Sequence, residues 1–400
     1  MRSLKWTTAV VALGLAPLVA QARPVTLAEC WGLVQTRSPA MAGAAAGVRS
    51  ATAAQRQSRV LPNPELELAA EDFGRGAIEV GLSLPLDFGG RRLARVRTAR
   101  AAVAAARLEE DVVRLRLRAE TLRRFGAALA LKHKLAVTDT LLGLVRHSSA
   151  GVERRVDAGA APDVDLLRAR MEVQGLELES RGVALQYGAA CRTLAALWAD
   201  SSGEAWEPAG GFLAAPAGEP SPPSDDNPAA QLERATVEAA RAELASARAE
   251  GWPSLGVTGN YARDDGPGAV TLGATASLPL FDRNQGGVGV ARHELARAEL
   301  ASVEGRAERA AAVERLRAEM ATVGEAVAVG RTVMVPTQQR VLEALTRQYE
   351  QGAAGILDVI QAQRELHESA MELTEHEAGL AALAADLLEL SGHEPVVFKE

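Results

Sequence analysis

Two copies of one passage set the plan of this chain. Thr271–Arg292 reads TLGATASLPLFDRNQGGVGVAR, and Gly81–Arg95 reads GLSLPLDFGGRRLAR. The Ser-Leu-Pro-Leu of 83–86 returns at 277–280, Gly89-Gly90 as Gly286-Gly287, and Ala94-Arg95 as Ala291-Arg292. In each copy a strand runs into a glycine turn and then into a long Ala/Arg/Glu-rich helix. A spacing this wide is no solenoid period; it is a tandem duplication of one large unit.

The two units read alike from end to end. The first, 23–200, opens on a helix from Leu27 towards Val60, with Thr26 and Glu29 forming a capping box and Ser38-Pro39 a point where it can break. Pro62-Asn63-Pro64 stops it. A β-hairpin follows within 64–87, with strands at 65–71 and 77–86. Ile78, Val80, Leu82, Leu84 and Leu86 fall on one face of the second strand, and Glu79, Gly81 and Ser83 on the other. A helix then runs from Arg91 to about His147, turns near 156–163, and returns over 163–198.

A Pro/Gly/Ser linker, 201–226, leads to the second unit, 227–392. There the plan repeats: helix 228–250, a hairpin within 253–281, a helix from about Val288 towards Glu350 with strain expected at Gly330 and Pro336, and a last helix 356–390. The residues 393–400 form a tail. The turns between the long helices also match: Gly159-Ala160-Ala161 with Gly352-Ala353-Ala354, and Asp165 with Asp358. By length, the return helix and the helix before the third strand can stack end to end along the first long helix, and the last and first helices can do the same in the other half.

The N-terminus carries Arg2 and Lys5, an apolar run over 8–20 and an Ala20-Gln21-Ala22 site, so 1–22 reads as a secretory signal cleaved after Ala22. No later segment has the length and apolarity of a membrane-spanning helix. The net charge is −7, and no basic patch with aromatics marks a nucleic-acid partner. Cys30 and Cys191 make neither a disulfide framework nor a zinc motif. None of the six histidines pairs at i, i+4, so no metal site is expected; no cofactor motif and no catalytic constellation is visible either.

Four strands cannot close a membrane barrel, and an open sheet in lipid leaves edge amides unpaired at several kcal/mol each. The hairpins either stay in water or are pooled with those of other copies. Phe73, Phe88, Trp252, Tyr261 and Phe281 all stand at or just beyond strand ends, where a membrane-interface girdle belongs.

On Leu61–Pro64, Ser83–Arg95, Gly159–Glu172, Leu278–Gly287, Gly352–Leu366 and Leu387–Gly392, in this order and duplicated, the chain resembles the TolC-like outer membrane factors. It looks most like their CzcC-type heavy-metal efflux branch. That resemblance implies a mainly α fold with a β-barrel part: a homotrimer sharing one twelve-stranded barrel in outer-membrane lipid above a long periplasmic α-helical tunnel. It implies a passive duct, not an enzyme, for heavy-metal cations, served by a periplasmic adaptor protein and an inner-membrane RND-type transporter. Gly159, Ala160, Ala161, Gly352, Ala353 and Ala354 would be adaptor-docking tips. Asp358, with Asp165 and Gln361, would stand at the periplasmic entrance; Gln361 occupies the place of a second acidic ring, so that ring would be single. The competing expectations are a multidrug or polypeptide-secretion duct of the same build, and a soluble periplasmic coiled-coil scaffold.

Overall fold

The structure, a computed structural model, describes residues 23–70, 78–86, 90–202, 204–217, 227–263, 266–392 and 396–399. The expected signal 1–22, Phe73, Phe88 and part of the linker lie outside the described residues. A short strand β1 (Arg23–Val25) leads into α1 (Leu27–Arg37) and α2 (Pro39–Ser58). The capping box is present: the Thr26 N–H donates to Glu29 Oε2 at 2.8 Å and the Glu29 N–H to Thr26 Oγ1 at 3.3 Å. Those bonds, the backbone one first, hold the Glu29 carboxyl below the ordinary carboxylate range. The helix breaks at Ser38, whose backbone is extended because Pro39 follows.

The first hairpin is β2 (Glu65–Ala70) and β3 (Ile78–Leu86), followed by α3 (Arg91–Asp157) and α4 (Asp163–Ala195). α3 runs ten residues beyond the expected end at His147, because nothing between 148 and 157 breaks it and Val152 is fully buried against its neighbours. β4 (Trp206–Pro208) and β5 (Gly211–Ala217) occupy part of the linker. α5 (Pro228–Glu250), β6 (Ser254–Arg263), β7 (Ala269–Ser277) and α6 (Gln285–Val329) repeat the plan. A π turn, Gly330–Met334, joins α6 to α7 (Val335–Glu350); α8 (Ile356–Ser391) and β8 (Val396–Lys399) end the chain. β7 stops at Ser277, and beyond it Pro279 is the centre of a tight turn closed by Leu280 N–H on the Leu278 carbonyl at 2.8 Å.

The molecule is long, not globular: 67 residues of α3 reach about 100 Å. Its main apolar core lies at mid-length, where Phe125, Leu129, Leu194, Trp198, Trp206 and Phe212 are buried together. A belt of small sheets, β1 on β4 and β5 on β8, lies beside that core. Lys132 Nζ fixes the belt to α3 through the Pro208 carbonyl at 2.9 Å.

The stacking of the short helices differs from the expectation. The Asn227 side chain caps α5 by accepting from Ala229 N–H at 2.7 Å, and its Nδ2 donates to the last carbonyls of α8, Glu389 and Leu390, at 3.3 and 2.5 Å. α5 therefore stands on α8, not on α4. α1 and α2 pack on α3, and α1 sits against the turn Ala196–Trp198 that ends α4, so the second stack is α4 with the first helices. α4 and α8 differ by only three residues in length, so length alone suits either pairing.

The end of the molecule with the sheet is tied to the helices by arginines of the first repeated passage. Arg91 donates to the carbonyls of Ala249 and Glu250 in the last turn of α5 and of Trp252, two residues beyond it. Arg92 and Arg95 donate to those of Arg59 and Ser58 at the end of α2. These guanidiniums satisfy orphan carbonyls at two helix C-termini and bring positive charge to the negative ends of both dipoles. They tie the start of α3 to the ends of α5 and α2.

Candidate functional site

β2, β3, β6 and β7 form one antiparallel sheet in that order. Its two faces differ completely. Leu82 lies opposite Leu66, Val80 opposite Leu68 and Tyr261, Leu84 opposite Val257, Leu86 opposite Leu255, and Tyr261 opposite Val270. All share one face, and ten large apolar side chains of these strands are exposed, Leu272 at 82%. Water would not tolerate such a patch on an isolated domain.

The other face carries Glu65, Glu67, Glu79, Ser83, Thr258, Asn260, Thr271 and Thr275 with glycines between. Among the described strand residues it holds three carboxylates and no lysine or arginine; Arg263 lies opposite Ile78, at the end of the apolar face.

The aromatics bracket that apolar face. Trp252 and Phe281 lie at the end of the sheet nearest the helices, both exposed, Phe281 at 93%; Tyr261 lies near the far end. Trp252 and Tyr261 are nine residues apart, about 30 Å along the strand.

At the opposite end of the molecule stand the two helix-to-helix turns. Each closes with the same C-cap. Gly159 and Gly352 have φ of +69° and +76°. Ala160 N–H donates to Arg155 at 2.7 Å and Gly159 N–H to Val156 at 2.8 Å; Ala353 N–H donates to Gln348 at 2.8 Å and Gly352 N–H to Tyr349 at 3.0 Å. This is the paired bonding of a Schellman cap, which needs the left-handed residue that glycine supplies. Ala160, Ala353 and Gly352 are exposed, and Ala161 and Ala354 half-buried.

The turns are held as one body. Val152, Ala169, Leu342, Ile356, Val359 and Ile360 pack together from α3, α4, α7 and α8. Arg364 grips Glu172 with two bonds, one of them 3.0 Å, and His367 Nε2 lies 3.0 Å from Glu179, tying α8 to α4. The Arg155 guanidinium lies 4.8 Å from the Tyr349 ring centre.

Asp165 and Asp358 are both third residues of their helices. The Asp358 carboxylate accepts the Gly355 N–H at 2.9 Å while staying exposed. The residue three before Asp165 is Pro162, which has no N–H to give. No bond from the Asp165 side chain to another helix is present among the described residues. Asp163 makes no side-chain cap either and stands in the first turn as dipole charge. Gln361 is exposed beside Asp358 and donates to Glu365 at 3.0 Å.

Both cysteines are buried free thiols, and burial pushes Cys30 up to about 12. No group of three or more His, Cys, Asp or Glu among the described residues can hold a metal ion. No described helix is long and apolar enough to cross a membrane.

Comparison with known proteins agrees with this geometry. Among curated proteins the chain is similar to the cobalt-zinc-cadmium resistance protein CzcC of Cupriavidus metallidurans, 27% identical over 360 residues, covering 87% of this chain and 85% of that protein. It is 26% identical to the nickel-cobalt-cadmium resistance protein NccC of Alcaligenes xylosoxydans xylosoxydans, covering 70% of this chain and 68% of that one. Among solved structures, the fold is similar to the outer membrane protein VceC of Vibrio cholerae, with a TM-score of 0.77 at 19% identity over 92% and 96% of the two chains. It is also similar to CusC, at 0.75 and 18% over 92% of each. The profile of the family described as outer membrane efflux protein matches residues 32–200 and 225–393, one match for each copy of the plan. The chain belongs to the outer membrane efflux protein family, TolC-like channels of the outer membrane with a large periplasmic part.

Proposed function

We propose that this protein is a passive exit duct for heavy-metal cations, formed by three copies that share one barrel. The observation that carries the reading is the sheet: an apolar face for lipid, and a polar face with three carboxylates and no opposing cation among the described strand residues. In a closed barrel that second face lines the lumen, where acidic side chains favour cations. The curated relatives named above are cobalt, zinc, cadmium and nickel resistance proteins, which supports the same cargo class.

The sharing follows from the edges. β2 and β7 are the outer strands, each unpaired on one side, and they run in opposite senses. Joining β7 of one copy to β2 of the next keeps the antiparallel order, and a closed ring removes every open edge. The helices offer matching flanks: α2 on the β2 side of α3, and α6 on the far side of α5. Three copies of the four-stranded sheet give twelve strands.

In this assembly the Schellman turns at Gly159–Ala161 and Gly352–Ala354 face the periplasm. Their small side chains leave backbone and helix ends open to a periplasmic adaptor's helices, with an inner-membrane RND-type transporter supplying the drive. Asp358, Gln361 and the unengaged Asp165 carboxylate stand at the mouth. Three Asp358 carboxylates form a single ring that admits cations, and Gln361 adds no charge to it.

Growth of a gene-deletion strain on gradients of zinc, cobalt, cadmium and nickel, beside a panel of drugs, tests the cargo. The expected outcome is sensitivity to one or more metals, restored by the gene. Sensitivity to drugs alone moves the duct to another cargo. Native mass spectrometry of the detergent-extracted protein checks the copy number, expected to be three.

A further inference from the structure

The second long helix changes its winding at mid-length. At Gly330 the α-helix gives way to a π turn, in which the Val335 N–H donates to the Gly330 carbonyl. Pro336 explains the place. It has no N–H, and its ring would strike the carbonyl four residues back; a wider turn relieves both problems. Gly330 lets α8 come close, since a Cβ there would lie 3.0 Å from Leu373 Cδ1.

The π turn is not left to itself. Arg331, its second residue, donates from Nε to Glu377 Oε1 of α8 at 2.8 Å and from a terminal nitrogen to the same oxygen. Its other terminal nitrogen donates to the Phe212 carbonyl of β5 at 3.0 Å. Glu377 is only 4% exposed, and its Oε2 lies 3.6 Å from Nδ1 of His133 on α3. The His133 ring meets the Phe212 ring edge-on at 5.8 Å between centres. One buried carboxylate thus gathers the π turn, α8, α3 and the belt. A buried ion pair is weak evidence for stability, because desolvation cancels much of the attraction. Its value here is in where it holds Arg331.

We propose that Arg331 and Glu377 are positioning residues that lock the π turn in register and so set how the α7–α8 hairpin hangs from the belt. A π turn stores one residue more than an α turn. When it is lost, everything beyond it turns by about 100° around the helix axis, the angle per residue of an α-helix; when it migrates, the residues it passes over turn by the same amount. α7 carries the Gly352–Ala354 turn, and α8 starts beyond it with Asp358. Releasing the lock therefore moves the mouth while the mid-length core stays packed. The consequence for conduction rests on the duct reading; the consequence for backbone protection does not.

Two readouts on the purified full-length protein test this: amide hydrogen exchange, and the resting conductance of single channels in planar bilayers. Arg331→Met and Glu377→Gln are each expected to speed exchange over residues 330–350 at least tenfold and to raise resting conductance at least twofold. Arg331→Lys, which keeps the charge, is expected to restore most of both. The double variant Arg331→Met/Glu377→Met leaves no buried charge unpaired, and it stands in for either single variant that does not assemble. Unchanged exchange over 330–350 overturns the proposal. So does a uniform rise across α3, α5 and α7, which would make the pair general packing. A parent protein without any conductance counts against the duct reading alone, and the exchange arm still judges the lock.

Discussion

Pro162 and Gly355 differ by one N–H, and that difference separates two otherwise equivalent aspartates. Asp358 is engaged by its own helix end, while Asp165 is not. The caps on the other side of each turn rest on Gly159 and Gly352, so alanine at either is expected to cost about 1–2 kcal/mol through its left-handed backbone, read as a lowered midpoint of thermal unfolding. At Glu377, burial pushes the carboxyl up, but His133 and Arg331 more than offset this and hold it below the ordinary carboxylate value. A lowered folded value means that its contribution is full above the unfolded pKa and is lost as pH falls through the folded one. Thermal unfolding of the parent between neutral pH and about pH 3 should therefore show an acid loss that is smaller in Glu377→Gln. The Thr26–Glu29 box was legible in the sequence because its partners are three residues apart. The Arg331–Glu377 pair was not, because 46 residues separate its members and nothing local signals it.

Strands and helices were legible where a period or a breaker marked them. Alternation and turn signals placed both hairpins, and the π turn falls where Gly330 and Pro336 signalled strain. The helix stacks were misread, since lengths permit two pairings and one side chain, Asn227, decides between them by bonding both α5 and α8. The faces of the sheet make a test of their own. Leu84→Arg places a charge on the apolar face opposite Val257, midway between Trp252 and Tyr261, and is expected to cost about 2–4 kcal/mol, with loss of outer-membrane assembly. Ser83→Arg, its neighbour on the polar face, is expected to assemble and to weaken cation preference instead. Heat-modifiable mobility on gels and detergent extraction separate the two outcomes; equal behaviour would remove the assignment of faces.

At the scale of the molecule, the duplication was readable, and the count of four strands already pointed to pooling among copies. Each copy supplies a hairpin and a long helical pair, and one chain leaves two open sheet edges and an exposed apolar face. No arrangement within one chain removes both; sharing a barrel among copies does. In the proposed barrel the inner face carries Glu65, Glu67 and Glu79, and carboxylates there favour cations. The most direct measurement is the reversal potential of the purified protein in a planar bilayer under a salt gradient, for the parent and for Glu65→Gln/Glu67→Gln/Glu79→Gln. The expected result is a cation-selective pore whose selectivity falls at least severalfold in the triple variant. An anion-selective pore, or a cation selectivity indifferent to all three substitutions, would contradict the account.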